Sequence, residues 1–233
     1  IYFQTVGLDY LGIDLIADYM HQFGLGERTG VDLHGEVTGI APSPRWKELT
    51  WNQKWVGGDT YNTSIGQGYT AATPIQMANA VALIVNEGIV YQPRVLKEIR
   101  DPISGEVVEE VIPRVLRTST ISKETFKQVQ NALRGVITDG TAEVVITTEA
   151  VEIAGKTGTG EVGLEERWDS WFVAYGPYGA SPEDAVVVVV LVEAVNEWEW
   201  GAPKAANLIF QGIFADQTYQ EAVDALRPWY VLR

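Results

Sequence analysis

Apolar residues recur at helical spacing in four stretches of the chain. Between Asp14 and Phe23 the residues Leu15, Ile16, Tyr19, Met20 and Phe23 lie three or four apart. That predicts a helix with those five on its buried side, stopped by Gly24 and Gly26. Thr73-Pro74-Ile75-Gln76 opens a second helix. Thr is a good N-cap, Pro suits the first helical position, and Gln three residues after the Thr completes a capping box. Its stripe is Met77, Ala80, Val81, Ile84 and Val85, and Asn86-Glu87-Gly88 stops it. A third helix is predicted over Ser122 to Ile137, with Phe126, Val129, Leu133 and Val136 on one face. A fourth, Gly201 to Phe214, directs Ala206, Ile209, Phe210 and Ile213 inward.

Between the second and third helices, Pro93 to Arg117 alternates Val95, Ile99, Val107 and Val111 around a Pro102–Gly105 turn, which reads as β structure. Three strands follow the third helix: Val151 to Gly160, Ser170 to Tyr175 and Ala185 to Ala194. The loops joining them, Glu161 to Asp169 and Gly176 to Asp184, are short, so the strands pair antiparallel. Glu27 to Trp46 reads as an irregular loop, Trp46, Trp51 and Trp55 lie in polar surroundings, and Gly57-Gly58-Asp59 signals a turn. Helices, then an antiparallel sheet, then a closing helix make an α+β fold, with the sheet flanked by helices.

Charge narrows the function. The 233 residues carry 17 basic and 31 acidic side chains, a net of −14. That argues against non-specific nucleic-acid binding, which needs cations to neutralise phosphates, and against a polybasic membrane patch. There is no cysteine, so disulfides, thiolate metal sites and a cysteine nucleophile are excluded. His21 and His34 do not cluster with carboxylates, so no metal site is expected. No run approaches the roughly 18 apolar residues of a membrane span. The chain opens with Ile1-Tyr2-Phe3 in apparent mid-element, which suggests a longer parent.

The chemistry concentrates in Ile153-Ala154-Gly155-Lys156-Thr157-Gly158-Thr159-Gly160. A Lys, a hydroxyl and a Gly at consecutive strand positions put an ammonium and a hydroxyl on one edge, beside backbone bare enough for a substrate to approach. Taken alone, Lys156 reads more readily as an edge-strand lysine that deters aggregation. It is not alone. Lys-Thr-Gly is one of three motifs of penicillin-binding proteins and serine β-lactamases. Ser64-Ile65-Gly66-Gln67-Gly68 through Thr73-Pro74-Ile75-Gln76-Met77-Ala78, then Ser170-Trp171-Phe172-Val173-Ala174-Tyr175-Gly176-Pro177 and Ala202-Pro203-Lys204-Ala205-Ala206, resemble successive segments of the class B penicillin-binding transpeptidase domain, in that family's order. Phe23 to Leu33, Pro44-Arg45-Trp46-Lys47 and Gly57-Gly58-Asp59-Thr60 resemble the elongation-type enzymes of lateral wall growth most.

This resemblance implies a transpeptidase/β-lactamase-like fold and a peptidoglycan D,D-transpeptidase. A serine attacks the penultimate D-alanine carbonyl of a stem peptide, D-alanine leaves, and an amine resolves the acyl-enzyme. β-Lactams trap the same serine. It assigns Lys156 a catalytic role and the Thr159 N–H an oxyanion contact, with Thr157, Gly158 and Thr159 holding the substrate carboxylate. No cofactor is implied. Expected partners are the D-Ala-D-Ala stem peptide, β-lactam antibiotics and a membrane glycosyltransferase. The expected location is the extracytoplasmic face of the cell membrane, through an N-terminal anchor helix not in this chain. One departure matters: no serine is followed three residues later by lysine, and no Ser-x-Asn precedes the triplet in its expected place. Residues 1–233 are therefore read as the C-terminal portion of a transpeptidase domain whose serine lies upstream of Ile1. Such a chain is expected to be inactive by itself and to self-associate. The other reading is a β-lactam-binding sensor or scaffold of the same fold. Carboxypeptidase or β-lactamase activity differs only in what resolves the acyl-enzyme.

Overall fold

The computed structural model describes residues 1–196 and 200–226. The chain forms two compact units, one from residues 1–83 and 88–120, the other from 84–87 and 121 onward.

The first unit is helical with small two-stranded sheets. Helix α1 (Tyr2–Thr5) runs through a π-helical turn (Val6–Leu11) into α2 (Gly12–Gln22). Ile13 and Ala17 are the buried side of α2, whereas Leu15 and Tyr19 are exposed. This corrects the predicted face at those two positions, while Ile16, Met20 and Phe23 are half-buried as expected. The apolar side chains of this helix fill more than one row, so spacing alone does not say which row is covered. Helices α3 (Pro44–Trp51) and α4 (Gly57–Thr63) replace what reads in sequence as loop and turn. The signal for α3 was present. Ser43 accepts the Trp46 N–H at 3.2 Å, and Pro44 holds the first position.

Helix α5 (Pro74–Val85) starts as its capping box dictates. Thr73 N–H donates to Gln76 Oε1 at 2.9 Å, and Gln76 N–H to Thr73 Oγ1 at 3.3 Å. Gln76 is fully buried, and its amide nitrogen also donates to the Glu27 and Thr38 carbonyls, both at 2.7 Å. One side chain thus caps a helix and pins the 27–38 loop to it. Strand β1 (Ile89–Tyr91) pairs with β4 (Val115–Thr118), and β2 (Glu98–Arg100) pairs with β3 (Val107–Glu110), both antiparallel.

The second unit carries helix α6 (Lys123–Thr138), a sheet ordered β5 (Ala154–Glu161), β6 (Trp168–Gly176), β7 (Val186–Val195), then α7 (Gly201–Ala215) and α8 (Tyr219–Leu226). Ser122 caps α6 by accepting the Thr125 N–H at 3.1 Å. Strand pairing is antiparallel, as the short loops require. One sheet face packs Phe172, Ala174 and Val188 against Ile137 of α6 and Ala202, Ala206 and Phe210 of α7. In α7 the buried row is Ala202, Ala206 and Phe210 with Asn207 and Gln211, while Ile209 and Ile213 are exposed, against expectation. Val129 of α6 is likewise exposed.

Candidate active site

The Lys-Thr-Gly triplet lies on β5, and β5 is the edge of its sheet, with β6 its partner among the described residues. The register sets Lys156 opposite Val173, Thr157 opposite Phe172, Gly158 opposite Trp171 and Thr159 opposite Ser170. Phe172 is fully buried in the core. Thr157 shares its face, since directly opposed residues do, while Lys156 and Gly158 lie on the other face with Trp171.

Close approach demands glycine at one position of this strand and leaves little room at a second. A Cβ at Gly155 would lie 2.7 Å from both the Val173 carbonyl oxygen and Ala174 Cβ. A Cβ at Gly158 would lie 3.2 Å from Trp171 Cβ. Trp171 is half-buried and lies across the strand from the bare backbone at Gly158.

Lys156 is exposed, and its ammonium turns back along its own strand. It donates to the Thr157 carbonyl at 2.7 Å and lies 3.5 Å from Thr157 Oγ1. Partial desolvation pushes its pKa below the ordinary lysine value, and among the described residues no carboxylate forms an ion pair with it. Thr157 Oγ1 lies 3.2 Å from the hydroxyl of Thr141. Thr141 follows α6 and is held in place by its neighbour. Ala142 is fully buried and donates its N–H to the Val136 carbonyl at 3.0 Å. The edge therefore gathers one ammonium and two hydroxyls. That donor set suits an anion such as a carboxylate.

Other contacts fix the ends of this strand. Arg134 of α6 donates to the Ile153 carbonyl at 2.7 Å. Buried Asn207 accepts the N–H groups of Thr147 and Thr148, both at 3.0 Å, and so ties the segment before β5 to α7. Ser170, opposite Thr159, accepts the Ala202 N–H at 3.3 Å. Asp169, expected in a solvated loop, lies within β6 and accepts the Ala194 N–H at 3.0 Å. Glu161 ends β5, and Glu165 and Glu166 stay in the connecting loop. Trp198 lies outside the described residues. The described residues include no group of three or more His, Cys, Asp or Glu fit to hold a metal ion.

Gly66-Gln67-Gly68 forms a turn, with both glycines at positive φ. Behind it, Tyr69 packs against Trp46 and Trp51, with ring centroids 5.3 and 6.4 Å away. Buried Lys47 pairs with Asp59 at 2.6 Å. The tryptophans read from sequence as lying in polar surroundings are thus partly an aromatic cluster.

The penicillin-binding protein transpeptidase domain model matches residues 1–215. The peptidoglycan D,D-transpeptidase MrdA of Haemophilus influenzae is 30% identical over 224 residues, covering 89% of this chain and 34% of that protein. Penicillin-binding protein 2 of Pseudomonas aeruginosa, solved in complex with WCK 5153, is 32% identical with a TM-score of 0.70, covering 89% of this chain and 45% of that one. Penicillin-binding protein 2 of Helicobacter pylori, solved in complex with MreC, is 28% identical with a TM-score of 0.71, covering 90% of this chain and 36% of that one. The chain spans about a third of the length of the first curated relative. These MrdA and PBP2 relatives uphold the class B, elongation-type resemblance. An α+β chain matched over residues 1–215, with Lys-Thr-Gly on an open sheet edge, belongs to the penicillin-binding protein transpeptidase domain family.

Proposed function

We propose that this chain is the carboxylate-binding part of a peptidoglycan D,D-transpeptidase that cross-links stem peptides through a serine acyl-enzyme and is acylated by β-lactams. The observation that carries the reading is the edge of β5, where the Lys156 ammonium and the Thr157 and Thr141 hydroxyls converge beside bare backbone at Gly158. An extended stem peptide lies along this edge, its terminal carboxylate held by the hydroxyls. Lys156 supplies positive potential there. Its lowered pKa favours proton movement, since a desolvated amine gives up its proton more readily. The Thr159 N–H is one oxyanion donor. The nucleophile lies upstream of Ile1, because no serine in residues 1–233 has a lysine three positions on.

The relatives' names support the reaction, and the MreC complex of the Helicobacter pylori protein supports a protein partner for this one. The whole protein works at the extracytoplasmic face of the membrane, held by an upstream anchor, and receives glycan strands from a membrane glycosyltransferase.

The test is acylation by a fluorescent penicillin of the protein expressed from its complete reading frame. Lys156→Ala should slow acylation at least about a hundredfold, within the range that general acid–base groups contribute. Thr157→Val should slow it about tenfold, the equivalent of one lost hydrogen bond. Acylation at the normal rate in Lys156→Ala would remove the proposed role. Normal acylation with no stem-peptide cross-linking in the unmodified protein would favour a sensor.

A further inference from the structure

The β2–β3 hairpin is built like a strand pair that lacks its third strand. A two-stranded hairpin by itself is marginal in water, and three strands or a packed face are needed for independent stability. This one exposes both its faces. All four residues of β3 are exposed, with Val108 at 69%, and so are Ile99 on β2, Ile103 at the tip and Ile112 just past β3. Its ends are nevertheless fixed. At the root, the Asp32 carboxylate accepts the Val95 and Leu96 N–H groups at 2.7 and 2.9 Å. At the tip, Asp101 accepts the Ile103 and Ser104 N–H groups at 2.8 and 2.7 Å. The hairpin is held in shape without burying its apolar side chains.

Its charge is one-sided. Residues 97–112 contain five acidic side chains and two basic ones. The register puts Glu110 directly opposite Glu98 and Glu109 opposite Ile99. Like charges opposed across a strand pair are destabilising. The Glu98–Arg100 ion pair, at 2.6 Å, relieves one partner only. Among the described residues Glu106, Glu109 and Glu110 form no ion pair. Apolar side chains left exposed along one strand edge suit an added strand, and unspent negative charge on the same strand selects a positive occupant.

We propose that the outer edge of β3 takes up, as a third strand, an extended segment of a partner protein in which a pair of apolar residues adjoins a pair of lysines or arginines. Backbone pairing along Val107–Glu110 supplies the affinity, the apolar pair meets Val107 and Val108, one on each face, and the cations answer Glu109 and Glu110, again one on each face. The edge of β3 is the one offered, because Glu109 and Glu110, which form no ion pair among the described residues, lie on that strand. The same charges disfavour an anionic lipid surface.

The probe is a fluorescein-labelled octapeptide of repeating Val-Val-Lys-Lys, titrated against the protein expressed from its complete reading frame, with its Val-Val-Glu-Glu counterpart, the glutamate peptide, beside it. The lysine peptide is expected to bind, to slow hydrogen exchange of the β3 amides, and to lose affinity as salt rises. Glu109→Gln with Glu110→Gln should weaken it about tenfold, and Glu109→Lys with Glu110→Lys should abolish it. If the reversed-charge variant does not fold, the glutamine variant decides. Absence of binding, equal binding by the variants, unchanged β3 exchange, or a preference for the glutamate peptide or for phosphatidylglycerol vesicles would each overturn the proposal. In those cases the carboxylates only keep a bare edge from aggregating.

Discussion

A methyl group at Gly155 has no room, whereas one at Gly158 nearly fits. At Gly155 the obstacle includes the Val173 carbonyl, and backbone cannot move without breaking the β5–β6 ladder. Gly155→Ala should therefore destabilise the protein by about 1–3 kcal/mol, the usual cost of overpacking. At Gly158 the obstacle is Trp171 Cβ, which needs to give only a few tenths of an ångström. Gly158→Ala should leave thermal stability nearly unchanged and instead slow acylation, because the added methyl stands on the face Lys156 occupies. Equal losses of stability in the two variants, measured by thermal unfolding, would refute this division. At this scale the sequence was informative where chemistry is contiguous. Lys156, Thr157, Gly158 and Thr159 are legible as one motif. Thr141 is not, since its hydroxyl meets Thr157 across 16 positions and only the turn after α6 brings them together.

Among the elements, α7 separates side chains that look alike in sequence. Phe210 is fully buried and Ile209, one position earlier, is 40% exposed. Phe210→Ala should cost about 3–5 kcal/mol, as large-to-small changes in a packed core do. Ile209→Ala should cost no more than about 0.5 kcal/mol, as at other surface positions. Denaturant midpoints of the two variants check the assignment of the buried face. The strands and the starts of α5 and α6 were readable because alternation and capping residues are local signals. The faces of α2 and α7 were not, since apolar residues stand on more than one side and only packing chooses between them. Helix α4 was hidden for another reason. Gly57 and Gly58 argue for a turn, and the helix starts because Asp59 accepts the Val56 N–H at 2.9 Å.

The hairpin root makes a pH prediction. The Val95 amide, then the Leu96 amide, hold the Asp32 carboxyl below its ordinary value of 3.8. A depressed carboxyl contributes stability that is present above the ordinary value and lost as pH falls through the lower folded one. The Val95 and Leu96 amides should thus stay protected at pH 5 and lose protection below about pH 3.8. Asp32→Asn should remove the pH dependence. Protection that is the same on both sides of that window would count against the anchor.

For the molecule as a whole, a net charge of −14 means self-repulsion in the folded state. Its melting temperature should rise as salt is raised from about 10 to 150 mM, where the screening length shrinks to about 8 Å. A flat or falling salt response, read by differential scanning fluorimetry, would mean that attractive pairs such as Lys47–Asp59 outweigh the repulsion. The α+β class was legible at this scale because the order of helical and alternating stretches carries it. The division into two compact units was not, because it depends on contacts between residues far apart in sequence. The central claim is that the edge of β5 holds the substrate carboxylate for a serine supplied from upstream. The most direct measurement is the acylation rate by fluorescent penicillin of the protein from its complete reading frame, with and without Lys156→Ala, with the labelled residue mapped by mass spectrometry. The account predicts a serine adduct upstream of Ile1 whose formation slows at least about a hundredfold in the variant. An adduct within residues 1–233, or one formed at the same rate without the Lys156 ammonium, would contradict it.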